Sequence, residues 1–288
     1  MSEPLEYPKP KIALIDCHNL GYMAAHTTGD MRYGKIPTGV TYGFLNQLFR
    51  FVKENGPHEF VFCWDSRHSL RREFYPDYKR RERKDDDGID YDVVFWQFDE
   101  LRTNVLPAMG WMGRGYLREG YEADDLIAWI ANSNGRQKVI VSSDNDLYQL
   151  LSPVTHIYQP RKNRFYMESD FKNEYSIRPG QWPEVKAIAG CTSDNVKGIK
   201  GVGEKNAIKW IQGGLKQDSK AAQSIRDGQA VIERNRGLVT LPYGEGWGGF
   251  ELSDHKLDRG RFYEVFRRYG FDQFIRRLGE LMAAFGLR

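Results

Sequence analysis

Three carboxylates fall within four positions at Glu122, Asp124 and Asp125, directly before the apolar run Leu126-Ile127-Ala128, and two more follow at Asp144 and Asp146. Like charges this close repel, and taking ionised carboxylates out of water is costly, so such a cluster near a core usually needs cations. The competing explanation is local. Acids are favoured in the first turn of a helix, and Asp before a turn is ordinary. The rest of the chain decides between them. Cys17, Cys63 and Cys191 are odd in number and far apart, and the six histidines make no zinc spacing. Any metal is therefore expected to be a hard cation held by oxygen.

The elements that must position these acids repeat a pattern. Lys11-Ile12-Ala13-Leu14-Ile15-Asp16, Glu59-Phe60-Val61-Phe62-Cys63-Trp64-Asp65 and Lys138-Val139-Ile140-Val141-Ser142-Ser143-Asp144 are short apolar runs that end in an aspartate. Each reads as a buried strand. Helical spacing lies between them, over Thr41 to Val52, Phe95 to Leu106 and Leu126 to Ala131. Strands alternating with helices imply a parallel α/β sheet, whose ligands sit beyond the carboxyl ends of the strands. Asp16, Asp65 and Asp144 are thus expected on one rim, joined by Glu122, Asp124 and Asp125 at the start of a helix.

Composition sets the outer bounds. The chain has 288 residues, 40% hydrophobic and 28% charged, with a net charge of +3, which describes a globular protein of one large or two modest domains. So small a net charge means that any affinity for polyanions comes from local clustering. No apolar run approaches the roughly eighteen residues of a membrane span. Met1 to Glu6 lacks the basic and apolar regions of a signal peptide, so a cytoplasmic protein, bacterial or viral in its host, is expected.

Two stretches carry positive charge. From Ser66 to about Gln97, Arg67, Arg71, Arg72, Lys79, Arg80, Arg81, Arg83 and Lys84 are interleaved with Phe74, Tyr75 and Tyr78, a composition that suits gripping single strands. Most charge runs are simply solvated faces, but this one follows Asp65 at the expected rim. Farther on, Gly198, Gly201 and Gly203 punctuate Lys197, Lys200, Lys205 and Lys209 before the apolar Ile208, Trp210 and Ile211. This is neither a P-loop nor a dinucleotide fingerprint; glycines and helix-start amides among lysines favour phosphate contact. At the end, Phe271, Phe274, Ile275, Leu278, Leu281 and Phe285 recur at helical spacing, as for a helix packed on the body.

In chain order, Ile15-Asp16, Phe62 to Asp65, Phe74 to Lys79, Gly120 to Asp125, Ser143 to Leu150 and Ser193-Asp194-Asn195 through Glu204-Lys205 resemble the 5′-nuclease family of phage and bacterial 5′-3′ exonucleases, flap endonucleases and the amino-terminal nuclease domain of bacterial DNA polymerase I. The resemblance spans roughly residues 10 to 215. It implies a PIN-like α/β parallel-sheet nuclease domain over 1–182 with a helical arch at about 66–97. A mainly helical domain with a helix-three-turn-helix element would follow over 183–288 and hold duplex DNA. It implies Mg²⁺ or Mn²⁺, two ions, on Asp16, Asp65, Glu122, Asp124, Asp125, Asp144, Asp146 and Asp194, with K⁺ at the hairpin. Lys79 and either Arg81 or Arg83 would neutralise the scissile phosphate. Arg71, Arg72, Tyr78, Lys197, Gly198, Lys200, Gly201, Gly203 and Lys205 would contact DNA. The expected substrate is a 5′ flap, nicked or branched duplex, or single-stranded 5′ end, cut by a monomer with no membrane attachment during DNA replication or repair.

This chain departs from the family pattern at two places. Where an aspartate usually follows Gly190 it has Cys191, so the second ion is expected to be held more weakly. Three residues after Lys79, where the family carries an arginine, it has Glu82. Two other functions share parts of the pattern: a branched-DNA clamp whose catalysis has decayed through Cys191, and a PIN-type ribonuclease or Asp-based phosphatase with the acidic rim alone.

Overall fold

The computed structural model describes residues 12–56, 58–80, 88–133 and 135–287. Six strands make the main sheet: β1 (Ile12–Asp16), β2 (Glu59–Cys63), β3 (Gly115–Tyr116), β4 (Lys138–Val141), β5 (Thr155–Gln159) and β6 (Arg164–Tyr166). Their spatial order is β3-β2-β1-β4-β5-β6, and every pair is parallel except β5 with β6. The three acid-ended runs are the three central strands, as their unbroken apolar character requires of strands covered on both faces.

Alternation assigns the two faces. Ala13, Ile15, Phe60, Phe62, Val139 and Val141 face one apolar cluster, and Ile12, Leu14, Val61, Cys63 and Ile140 the other. The first is covered by α1 (Cys17–Thr28), α2 (Gly39–Asn55), α4 (Tyr91–Glu100) and the C-terminal helices α11 (Arg259–Tyr269), α12 (Asp272–Arg276) and α13 (Leu278–Ala284). The second is covered by α5 (Ala123–Ser133), α6 (Glu168–Tyr175), α7 (Trp182–Ala189) and residues of α8 (Glu204–Ile211), α9 (Lys220–Asp227) and α10 (Gln229–Val239). Trp182 and Val185 share a cluster with Ile12, and Phe262 to Phe285 share the other with Ala13. The boundary at 182/183 therefore marks no break in packing among the described residues.

Several expected elements have different bounds. The helix expected from Phe95 starts at Tyr91, because Asp90 caps it by accepting from the amides of Asp92 and Val93, and it continues as π-helical turns over Leu101–Val105 and Pro107–Trp111. The C-terminal stripe is α12 and α13, separated at Arg277 and preceded by α11, which ends at the left-handed Gly270. The stretch after Tyr158 holds β6 and α6. Within the basic segment, α3 (Leu70–Phe74) is short, and residues 81–87 lie outside the described part.

Chain direction locates the crevice. From β1 the chain moves outward to β2 and β3, then crosses back to β4 and leaves toward β5. The switch point is between β1 and β4, and ligands of such sheets bind there, outside the carboxyl ends. Pairing of Asp16 with Cys63, and of Ile15 with Val141, brings the three acid-bearing ends level.

The C-terminal helices are held by aromatic contacts to α2: the Phe49 ring lies 5.0 Å from Phe274, 5.8 Å from Phe266 and 6.0 Å from Phe285. Replacing Phe49 with Ala is expected to cost about 3–5 kcal/mol. It should be read as a lower urea midpoint with an unchanged slope.

Candidate active site

Asp16 ends β1 and caps α1, accepting from the Asn19 amide at 3.0 Å, and the Ser142 hydroxyl at the end of β4 donates to its other oxygen at 2.7 Å. Asn19 in turn accepts from the Ser143 amide at 3.1 Å, so the crevice between β1 and β4 is laced by hydrogen bonds. Asp65 accepts from the Ala123 amide at 2.7 Å, which fixes the start of α5 and with it Glu122 and Asp124. The Asp65 amide donates to His18 Nδ1 at 3.1 Å. Asp144 accepts from the Asp146 amide at 2.8 Å. The sheet and two helix starts thus hold these carboxylates on one rim.

Their electrostatics are those of a site short of positive charge. Burial, then the charges of Asp65 and Asp144, raise the Asp16 carboxyl to about 7. Burial and Asp146 raise Asp144 to about 6. Asp124 is held well above the usual range by burial, then by Asp144 and Asp16. Asp65 goes the other way: burial opposes ionisation, but His18, Lys79 and the Ala123 amide outweigh it and lower the pKa.

Lys79 is one cation the chain itself supplies. Its Nζ lies 3.0 Å from Glu122 and 3.9 Å from Asp194, and Tyr78 donates to the same Glu122 oxygen at 2.9 Å. The Lys79 backbone is left-handed (φ 48) and its amide donates to the Asp194 carbonyl at 2.8 Å. A non-glycine residue in that region is uncommon, and here it is pinned at both ends.

Beside this rim, one ligand atom each of Asp146, Cys191 and Asp194 lies within 4.8 Å of the others, the one group of three metal-ligating side chains so close among the described residues. Two carboxylates suit a hard cation; the thiol does not. Burial, then Asp146 and Asp194, push the Cys191 thiol up to about 12, and it donates to Asp146 at 3.5 Å. Lys186 Nζ is 2.9 Å from Asp146. The residues fit a divalent cation on the Asp16 side and fit one poorly where Cys191 stands.

Three assignments from sequence are corrected. Asp125 is 0% and Arg71 2% exposed, and the guanidinium meets the carboxylate at 2.6 Å through both nitrogens. Amides of Glu122 and Tyr243 complete Asp125, at 3.0 and 2.8 Å, leaving it no oxygen face for a metal. Arg71 also donates to the Leu238 carbonyl, and a buried, fully engaged guanidinium has no surface to give DNA. Tyr78 is likewise buried, its hydroxyl committed to Glu122.

Arg72 is exposed, and Arg81 and Arg83 fall outside the described residues. Lys197, Lys200, Lys205 and Lys209 are exposed around the turn between β8 (Val196–Lys197), whose partner is β7 (Gly190–Cys191), and α8. Gly201 (φ 80) and Gly203 are open to a ligand, whereas a Cβ at Gly198 would meet the Ala189 carbonyl carbon at 2.2 Å. Gly198 therefore serves the hairpin's own packing. Sequence reasoning missed His18, Ser142 and Lys186. His18, two residues after an expected ligand, was open to suspicion; nothing marked the others.

Residues 11–176 match the family described as 5′-3′ exonuclease, N-terminal resolvase-like domain. The chain is 30% identical over 309 aligned residues to DNA polymerase I of Mycobacterium leprae, covering 98% of this chain and 33% of that one. It is 31% identical over 214 residues to the thermostable DNA polymerase I of Thermus aquaticus, covering 73% and 24%. The chain thus spans a third or less of the length of these relatives. Among solved structures it is similar to the T5 D15 protein co-crystallised with metal ions, with TM-score 0.67, 18% identity and coverage of 95% and 99%. It is also similar to flap endonuclease-1 from Methanococcus jannaschii, with TM-score 0.58, 14% identity and coverage of 96% and 93%. At these identities the likeness to solved structures is one of fold.

Two outcomes follow for stability. Arg71→Ala strands a buried carboxylate and should cost about 3–5 kcal/mol in urea denaturation, against about 0.5 kcal/mol or less for the exposed Arg72→Ala. For Asp16 and Asp144 the folded-state pKa is raised, so their stabilising contribution is full below the unfolded value and is lost as pH rises through about 6 to 7. In cation-free buffer the protein should lose on the order of 5 kcal/mol between pH 4.5 and 8. Asp144→Asn should be the more stable protein at pH 8, as read by melting temperature.

Proposed function

This chain belongs to the 5′-3′ exonuclease family, and from that membership and its carboxylate rim we propose that it is a structure-specific DNA 5′-nuclease, acting as exonuclease and flap endonuclease. The observation that carries the reading is the convergence of Asp16, Asp65, Asp124 and Asp144 on one buried rim at the sheet's switch point, with Lys79 paired to Glu122 beside it. Carboxylates that repel one another on a buried rim are stabilised by divalent cations.

In this reading Asp16, Asp65, Glu122, Asp124 and Asp144 hold one Mg²⁺ or Mn²⁺, and Asp146 and Asp194 a second. Bound there, the ions supply activation of water and neutralisation of charge on the phosphate. The chain's own groups do the rest. Lys79, already paired with Glu122 and Asp194, places a fixed positive charge beside the scissile phosphate. His18 and the Ala123 amide orient Asp65 and keep it ionised. Residues 183–288 divide the labour with 1–182 functionally: Lys197, Lys200, Lys205 and the open backbone at Gly201 and Gly203 take duplex phosphates away from the cut. Such contacts give binding that weakens steeply with salt.

Cys191 supports a weaker second ion. A neutral thiol adds no charge where a carboxylate would, and Lys186 already partners Asp146. The alternative of a DNA-binding protein with attenuated catalysis is not favoured by the family match, and the same assay separates the two.

The assay uses end-labelled flap, nicked and single-stranded DNA with Mg²⁺ or Mn²⁺, with EDTA as control. Metal-dependent release of 5′ products is expected, and Asp124→Asn should abolish it while binding in Ca²⁺ survives. Loss of Lys79 to Ala should slow turnover by on the order of 10²-fold or more. Cys191→Asp should lower the Mg²⁺ concentration needed for half-maximal rate. Tight binding of branched DNA with no cleavage in either metal would overturn the enzymatic reading.

A further inference from the structure

The two ends of the carboxylate rim differ in how their charge is met. Lys79 pairs with Glu122 and Asp194, and Lys186 with Asp146, whereas among the described residues no lysine or arginine pairs with Asp16, Asp124 or Asp144. At the Cys191 end the charges therefore balance without an ion. The carboxylates of Asp146 and Asp194 meet the ammonium groups of Lys186 at 2.9 Å and Lys79 at 3.9 Å, and the thiol beside them is neutral.

Lys186 is more than a surface side chain within reach of an acid. It is 11% exposed, and its ammonium has two further partners, the Asn145 side-chain oxygen at 2.9 Å and the Trp182 ring, whose centroid lies 5.3 Å away. Trp182 and Lys186 stand four residues apart on α7 and so share one face of that helix. The Trp182 indole donates to the Asn145 carbonyl at 2.9 Å, which fixes the helix carrying the cation against the turn that begins at Asp146. The other oxygen of Asp146 accepts from the Cys191 thiol at 3.5 Å. Positive charges brought together at reduced dielectric repel strongly. A divalent ion thus gains Asp146 only once the ammonium has left all three of its partners.

We propose that Lys186 is the resident cation of the Cys191 end. Its ammonium stands in for the second divalent ion, so the chain without DNA holds one such ion, at the Asp16 end, and admits another only by displacing Lys186 from Asp146. The inference rests on the rim being a divalent-cation site, as the nuclease reading requires. It adds that a side chain of α7, and not the thiol alone, sets how many ions are held.

The test counts Mn²⁺ bound to the full chain without DNA, by equilibrium dialysis and by the electron paramagnetic resonance signal of free Mn²⁺. The unaltered protein should hold one ion tightly and a second far more weakly. Lys186→Met and Lys186→Gln, which remove the charge, should tighten the second ion by on the order of 10-fold or more. Lys186→Arg, which keeps the charge, should leave it weak. In metal-free buffer the two uncharged variants should melt below the unaltered protein, and saturating Mn²⁺ should recover the loss; a lysine that only joins α7 to the turn would give the loss without the recovery. Two ions of equal affinity in the unaltered protein would overturn the inference, as would a second ion that binds the uncharged variants no better. In either case metal-dependent cleavage of DNA leaves the nuclease reading standing, whereas an unaltered protein that binds no Mn²⁺ at all sinks both.

Discussion

Repulsion between carboxylates that the sheet forces together is the constraint to which the rest of the molecule answers. Parallel pairing with level strand ends leaves Asp16, Asp65 and Asp144 no way to separate without slipping register, and slipping would turn buried apolar faces outward. The strain is managed locally. Ser142 and the Asn19 amide hydrogen-bond Asp16, the Ala123 amide binds Asp65, and Lys79 and Lys186 bring ammonium groups to Glu122 and Asp146. Burial first, and then the repulsion that these partners leave uncompensated, raises the pKa values of Asp16, Asp124 and Asp144. Affinity for divalent cations and instability in their absence are, in this reading, one property.

A second device holds the rim in place from behind. The Arg71–Asp125 pair joins α3, α5, the end of α10 through the Leu238 carbonyl and the following loop through the Tyr243 amide. Nearby, the Lys79 amide and the Asn195 side chain tie the segment after α3 to the hairpin through the carbonyls of Asp194 and Asp77. Arg234 of α10 stacks on Tyr75, 4.8 Å from its ring centroid. The basic segment is thus anchored at its base to both the carboxylate rim and the hairpin. Displacing either partner of the buried pair would disturb three elements at once.

Cys191 sits within an intact hairpin. The thiol is buried, hydrogen-bonded to Ser193 and Asp146, and Cys191 pairs with Val196. A neutral thiol needs no counter-ion there, whereas a buried carboxylate would.

Much of this was legible in the chain. Apolar runs ending in Asp16, Asp65 and Asp144 determine buried parallel strands and one acidic rim, because hydrophobic periodicity and strand direction are local properties. Order and spacing of the motifs likewise identified the family. Tertiary structure decided which polar side chains line the rim and which are tied up in buried pairs. Asp125 looks identical to Asp124 in sequence, yet its partners are Arg71, 54 positions away, and the Tyr243 amide, 118 positions away. The same holds for Arg71 and Tyr78, taken as surface groups from a charge run and found buried. The two-residue β3 and the break between α12 and α13 also carry too little local pattern to be read. Partners of a buried charge are chosen by what packing brings near, and that is settled only when distant segments meet.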